Sequence, residues 1–131
     1  MGTNYYISKL NPPTEDLFTK TRNLHIGKSS VGWCFALNVT EIPTLDEWIK
    51  LFNDCTLVIT NEYGTIINPK EMIKIITERK NDGQPLSDEF FKSNNCEKGP
   101  NNLARSVIGR GHCVGHGPKN STYDMIVGEF S

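Results

Sequence analysis

The chain has no excess of either charge: 14 Lys and Arg stand against 15 Asp and Glu, a formal net charge of −1. Without a basic field the molecule as a whole does not attract a nucleic-acid backbone, and any anion site must be local. Long apolar runs are also missing. The longest reach about four or five residues, where a membrane-spanning helix needs about 20. The opening Met1-Gly2-Thr3-Asn4-Tyr5-Tyr6 has neither a basic nor an apolar stretch, so no secretory signal is expected. Tyr6 stands where a myristoylation pattern needs Ser or Thr. The expected location is therefore cytoplasmic, and the sequons at Asn38 and Asn120 are expected to be silent. Paired cysteines are lacking too. Cys34, Cys55, Cys96 and Cys113 are scattered with no Cys-x-x-Cys, which predicts four free thiols in a reducing compartment.

What is present fits a globular chain. Hydrophobic residues make up 37% and charged residues 22% of 131 positions, consistent with one domain over residues 1–131. A chain of this length buries roughly two-thirds of its unfolded surface. Residues 3 to 8 are mostly β-branched or aromatic and read as a strand, broken by Asn11-Pro12-Pro13. Residues 14 to 23 read as a loop or a short helical turn. Leu24 to Gly27 reads as a short strand entering a Lys28-Ser29-Ser30 turn. Val31, Trp33, Phe35, Leu37 and Val39 then alternate on one face of an expected strand, with small residues on the other face.

Thr44 and Glu47 have capping-box spacing ahead of Leu45, Trp48, Ile49 and Phe52, a helical stripe. Residues 56–60 and 65–67 predict a hairpin with Gly64 at its turn. Asn68, Pro69 and Glu71 open a second helix with Met72, Ile73 and Ile76 inside, ended by Asp82-Gly83. Ser87 caps a third, short helix through Phe91. Residues 94 to 102 read as a loop, 103 to 108 as a helical turn or a strand, and 123 to 127 as a strand. The sum is α+β: a single domain with a mainly antiparallel sheet packed against two to three helices.

Two segments carry reactive side chains. Gly27-Lys28-Ser29 resembles the end of a phosphate-binding P-loop, but Arg22 stands where that loop needs its first glycine. A looser cradle survives, in which Lys28, Ser29 and Ser30 donate to a phosphate or carboxylate; the competing reading is an exposed polar turn. The second segment, Gly109 to Pro118, holds Arg110, His112, Cys113 and His116 among four glycines. It reads as a histidine acid/base pair beside a phosphate-binding arginine, as a metal site completed by His25 or Cys34, or as a solvated connection. Trp33 is either core or a platform for a base.

The opening hexapeptide, the His-Ile-Gly-Lys-Ser-Ser-x-Gly-Trp-Cys-Phe stretch at residues 25 to 35, the His112 to Gly117 motif and the Gly128 to Ser131 ending together resemble a family of small bacteriophage and prophage proteins. Many of those relatives carry a Cys-x-x-Cys-Gly knuckle before the central motif, and residues 11 to 23 hold no cysteine here. The resemblance implies an accessory protein in the host bacterial cytoplasm, used against host defence or to adjust host metabolism. The resulting expectation is a binder, or hydrolase, of a small phosphorylated ligand such as a nucleotide or cyclic nucleotide. Lys28, Ser29, Ser30, Trp33 and Arg110 would contact it, with His25, His112 and His116 as acid/base groups. No metal or cofactor and no membrane is expected, and a homo-oligomer is compatible. The competing function is a protein-binding inhibitor of a host enzyme with no small-molecule site.

Overall fold

The computed structural model describes residues 2–9, 24–128 and 130. The break at Asn11-Pro12-Pro13 and the loop expected over residues 14 to 23 lie outside them.

Two amphipathic helices cover one face of a sheet. The first, α1 (Leu45–Phe52), starts where Thr44 Oγ1 accepts from the Glu47 N–H at 3.2 Å. Its Trp48 and Phe52 are buried. The second, α2 (Pro69–Thr77), starts at Asn68, whose side chain accepts from the Glu71 N–H at 2.8 Å, and buries Met72 and Ile76. It stops short of the expected Asp82-Gly83. The third, α3 (Asp88–Asn94), is capped by Ser87 and continues past Phe91 to Asn94 before Asn95 turns left-handed.

The main sheet has seven strands. In chain order these are β1 (Gly2–Lys9), β2 (Leu24–Ser30), β3 (Phe35–Asn38), β4 (Leu57–Asn61), β5 (Ile66–Ile67), β8 (Cys113–His116) and β9 (Tyr123–Ile126). Between β5 and β8 come β6 (Cys96–Lys98) and β7 (Ala104–Ser106), which form a separate two-stranded sheet. The main sheet runs β5-β4-β1-β2-β3-β9-β8, antiparallel except for the parallel β3–β9 pair. Its core face, with Ile7, Ile26, Phe35, Leu37 and Ile59, meets Trp48, Phe52, Met72 and Ile76 in a single hydrophobic cluster. The fold is α+β, as the element pattern predicts.

The central motif departs from expectation. Lys28-Ser29-Ser30 is not a turn: β2 continues to Ser30, pairing Gly2↔Ser30, Thr3↔Ser29 and Asn4↔Lys28. Nor is residues 31 to 39 one strand. The turn falls at Val31-Gly32, where Trp33 N–H donates to Ser30 O at 3.0 Å and Gly32 has φ +84°. Val31 is consequently 86% exposed, while Phe35, Leu37 and Val39 keep their core face. A period-two pattern counts straight through a two-residue turn, which is why alternation alone misplaced it. The loop expected over 94 to 102 contains β6, residues 104 to 106 resolve as strand, and the glycine-rich segment contains β8 at the sheet edge.

Candidate functional site

Alternation in β1 and β2 decides which side chains share a surface. Facing residues of an antiparallel pair point the same way, so Gly2 and Ser30, Asn4 and Lys28, and Tyr6 and His25 form one helix-free strip. The register shift between Tyr5 and Tyr6 lets Ile26 and Gly27 both turn inward, which keeps His25 and Lys28 on the same side. Ser29 faces Thr3 on the opposite side and leaves this group.

Gly2 is the floor of the strip. A Cβ there would lie 2.3 Å from Lys28 Cε and 2.7 Å from Ser30 Oγ, so the lysine stem and the serine hydroxyl converge over the glycine. Next to them, His25 Nε2 lies 2.8 Å from Asn4 Oδ1. The Asn4 amide is oriented by Glu62 Oε1, which accepts from the Asn4 N–H at 2.8 Å and from Nδ2 at 3.5 Å. Turned the other way, the amide would set oxygen against carboxylate. With the amide in this orientation, His25 Nε2 donates to Asn4 Oδ1. The ring sits between Tyr6, at 5.3 Å between centroids, and Phe130, at 4.8 Å. Burial among these groups holds the His25 pKa below its ordinary value, against a backbone interaction with Gly27 that raises it; the Lys28 charge lowers it further.

The second segment lies elsewhere. Lys28 pairs with Ala36, Ala36 with Asp124 and Asp124 with His116, so Lys28 and His116 stand three strands apart, about 14 Å at ordinary strand spacing. Between them lies an internal ion pair: Arg105 Nε donates to Asp124 Oδ1 at 2.8 Å, with both residues almost fully buried. Arg105 Nη2 also donates to Ser121 O and Tyr123 O, and Asp124 Oδ2 accepts from the Ser106 N–H. This network fixes β7 over β9. His116 joins it by donating from Nε2 to Ser106 O at 2.7 Å, and stands 3.8 Å from both Asp124 Oδ1 and Glu97 Oε1.

His112 is exposed at the other end of β8, its ring beside Gly128 and its carbonyl accepting from the Val127 N–H. Arg110 is exposed at the tip of the preceding turn, where its N–H donates to Val107 O. The two histidines of this segment thus do not face one substrate position. Trp33 packs its ring on Phe90 of α3, at 5.8 Å, and pairs its backbone with Ala104. Of the eight residues singled out from sequence, the fold brings together His25, Lys28 and Ser30.

The remaining polar groups of the central motif hold the chain in place. Arg79, following α2, donates from Nε to Trp33 O at 3.0 Å and from Nη2 to Ser30 O at 2.8 Å, bracing both ends of the Val31-Gly32 turn. Cys34 is buried, and that burial pushes its thiol up to about 12, so it is no nucleophile. Among the described residues no group of three or more His, Cys, Asp or Glu side chains is placed to hold a metal ion. Also among them, no helix is long and apolar enough to cross a membrane.

Asn4, Tyr6 and Glu62 escaped the sequence reading because only strand register brings them to His25. Arg105 escaped it because nothing around residues 104 to 106 marks a buried cation. No protein-family model matches the chain, and no curated protein or solved structure matches it.

Proposed function

We propose that the protein binds a small phosphorylated ligand, a nucleotide or cyclic nucleotide, on the β1–β2 strip. The observation that carries this reading is the convergence of Lys28 Cε and Ser30 Oγ over Gly2, beside His25. An ammonium and a hydroxyl side by side suit a phosphoryl group, and the Tyr6 ring offers a face on which a base can stack. Glu62, an acid at this surface, already accepts from Asn4.

The arrangement favours holding the ligand over cleaving it. In-line chemistry needs an acid and a base at one position, and His25 is the single histidine here. Taken with the resemblance to phage proteins, the reading becomes an accessory factor that sequesters a host nucleotide signal in the bacterial cytoplasm.

Incubation with a panel of mononucleotides and cyclic dinucleotides, followed by chromatography of the free fraction, tests this. Depletion of a ligand, its recovery intact after denaturation, and loss of depletion in Lys28→Ala and Ser30→Ala are expected. Arg110→Ala and His112→Ala should deplete like the parent. A chemically altered product would make the protein a hydrolase. Depletion of nothing would overturn the reading and favour the second one, a protein-binding inhibitor. That alternative has its own support in Tyr63 and Ile66, 73% and 68% exposed on the β4–β5 hairpin.

A further inference from the structure

A second concavity lies on the opposite side of the sheet from the β1–β2 strip. It is a cleft of about 410 Å³ between the start of α1 and the β8–β9 end, within the size range of small-molecule sites. Leu45, Met125 and Pro118 supply its apolar wall, and Asp46 and Tyr123 are among its polar groups.

Tyr123 is the unusual member. The residue is 5% exposed, and the tip of its ring is packed so closely on Gly117 that a Cβ there would lie 2.5 Å from Cζ. Buried tyrosine hydroxyls ordinarily find a partner. This one has no side-chain or backbone partner among the described residues, and since no buried side-chain oxygen there lacks one, the hydroxyl oxygen itself is open to solvent although the ring is buried. Tyr123 lines the cleft, so its hydroxyl is available there to a ligand that displaces water. Asp46 and Tyr123 line the same cleft without a hydrogen bond between them, and burial raises the Tyr123 pKa, with the Asp46 charge raising it further.

Charge narrows the occupant. No Lys or Arg lines the cleft, and Asp46 has no ion-pair partner among the described residues. His116, the histidine of the lining, already donates to Ser106 O. The positive end of α1, which would favour an anion, already faces Asp46 and Glu47 in its first turn. Acceptors with an apolar wall and no fixed cation suit a donor-rich cation carrying a hydrocarbon body.

We propose that this cleft binds a small alkylammonium ion, its ammonium between the Asp46 carboxylate and the Tyr123 hydroxyl and its chain against Leu45 and Met125. The site is independent of the β1–β2 strip. Titration of the isotope-labelled protein with butylammonium, pentan-1-ol and butyrate, followed by NMR, tests it. Butylammonium is expected to shift the Asp46 and Tyr123 amides and the Met125 methyl group. Asp46→Asn should weaken that binding by about tenfold or more, the scale of one charged hydrogen bond. Tyr123→Phe should weaken it less, and Lys28→Ala not at all. Asp46 lies in the exposed first turn of a helix, so its variant keeps the fold, which the unchanged remainder of the spectrum would verify. Equal binding of pentan-1-ol, indifference to Asp46→Asn, or shifts confined to other residues would each overturn the proposal.

Discussion

Replacing Gly27 by alanine should be among the most damaging single-methyl changes in the molecule. Gly27 lies on β2 between β1 and β3, paired with Tyr5 on one side and Leu37 on the other. A Cβ added to it would stand 2.1 Å from Ala36 O and 2.5 and 2.9 Å from two atoms of the Phe35 ring. The ring is fully buried and the carbonyl belongs to the adjoining strand, so neither neighbour can withdraw cheaply. Overpacking a tight core typically costs about 1–3 kcal/mol. With backbone as one of the obstacles, about 3 kcal/mol or more is expected, a large share of the roughly 5–15 kcal/mol that holds a domain folded.

Gly64→Ala provides the control. Gly64 has φ +84° and nothing within 4 Å of where a methyl group would stand, so its cost is the left-handed backbone alone, about 1–2 kcal/mol. Urea unfolding followed by tryptophan fluorescence gives both values. A loss in Gly27→Ala no larger than that in Gly64→Ala would mean that Ala36 O and the Phe35 ring yield freely to the added methyl group.

Three further outcomes are expected. A thiol reagent should modify Cys55 of the native protein first and Cys96 more slowly, with Cys34 and Cys113 reacting only after denaturation, since both are buried and their thiols are raised; mass spectrometry of labelled peptides checks the order. Because the folded His25 pKa is depressed, the unfolded chain binds more protons. Stability from this residue is therefore fully present above about pH 6.5 and is lost as pH falls below that value through the lower folded-state pKa. His25→Gln should flatten this part of a stability-against-pH curve measured by urea unfolding, and an unchanged slope would count against the burial argument. Asp124→Asn should cost about 3–5 kcal/mol, because it leaves Arg105 as an uncompensated buried charge. The paired Arg105→Met, Asp124→Leu variant should recover much of that loss in the same assay.

The helices were legible because their signals are local. Thr44, Asn68 and Ser87 each act as the cap that their spacing from the following residues announced. The strands were legible as apolar runs and illegible as partners. Nothing in Asn4 or Tyr6 alone says that β1 lies beside β2 in the register that delivers both to His25. The histidines at 112 and 116 looked cooperative because four positions are close along a chain. In an extended strand that spacing is on the order of 10 Å or more, and it leaves the two rings in different surroundings. The central motif misled in another way. Its glycines suggested a ligand, whereas Gly27 clears the Phe35 ring and Gly32 turns the chain under Arg79.

The parallel β3–β9 pair carries a cost paid during synthesis. Strand β9 is made late yet occupies an interior place, between β3 and β8. Until it arrives, β3 is an open edge with Phe35 and Leu37 lacking their lateral neighbours, and β8 has no strand to join. Such late, distant pairing slows folding and exposes a template for wrong partners. A polypeptide stalled before residue 123 would therefore hold β5, β4, β1, β2 and β3 in a sticky partial sheet. Ribosome-bound chains of increasing length, probed by limited proteolysis, should change from susceptible to protected in one step as β9 becomes available.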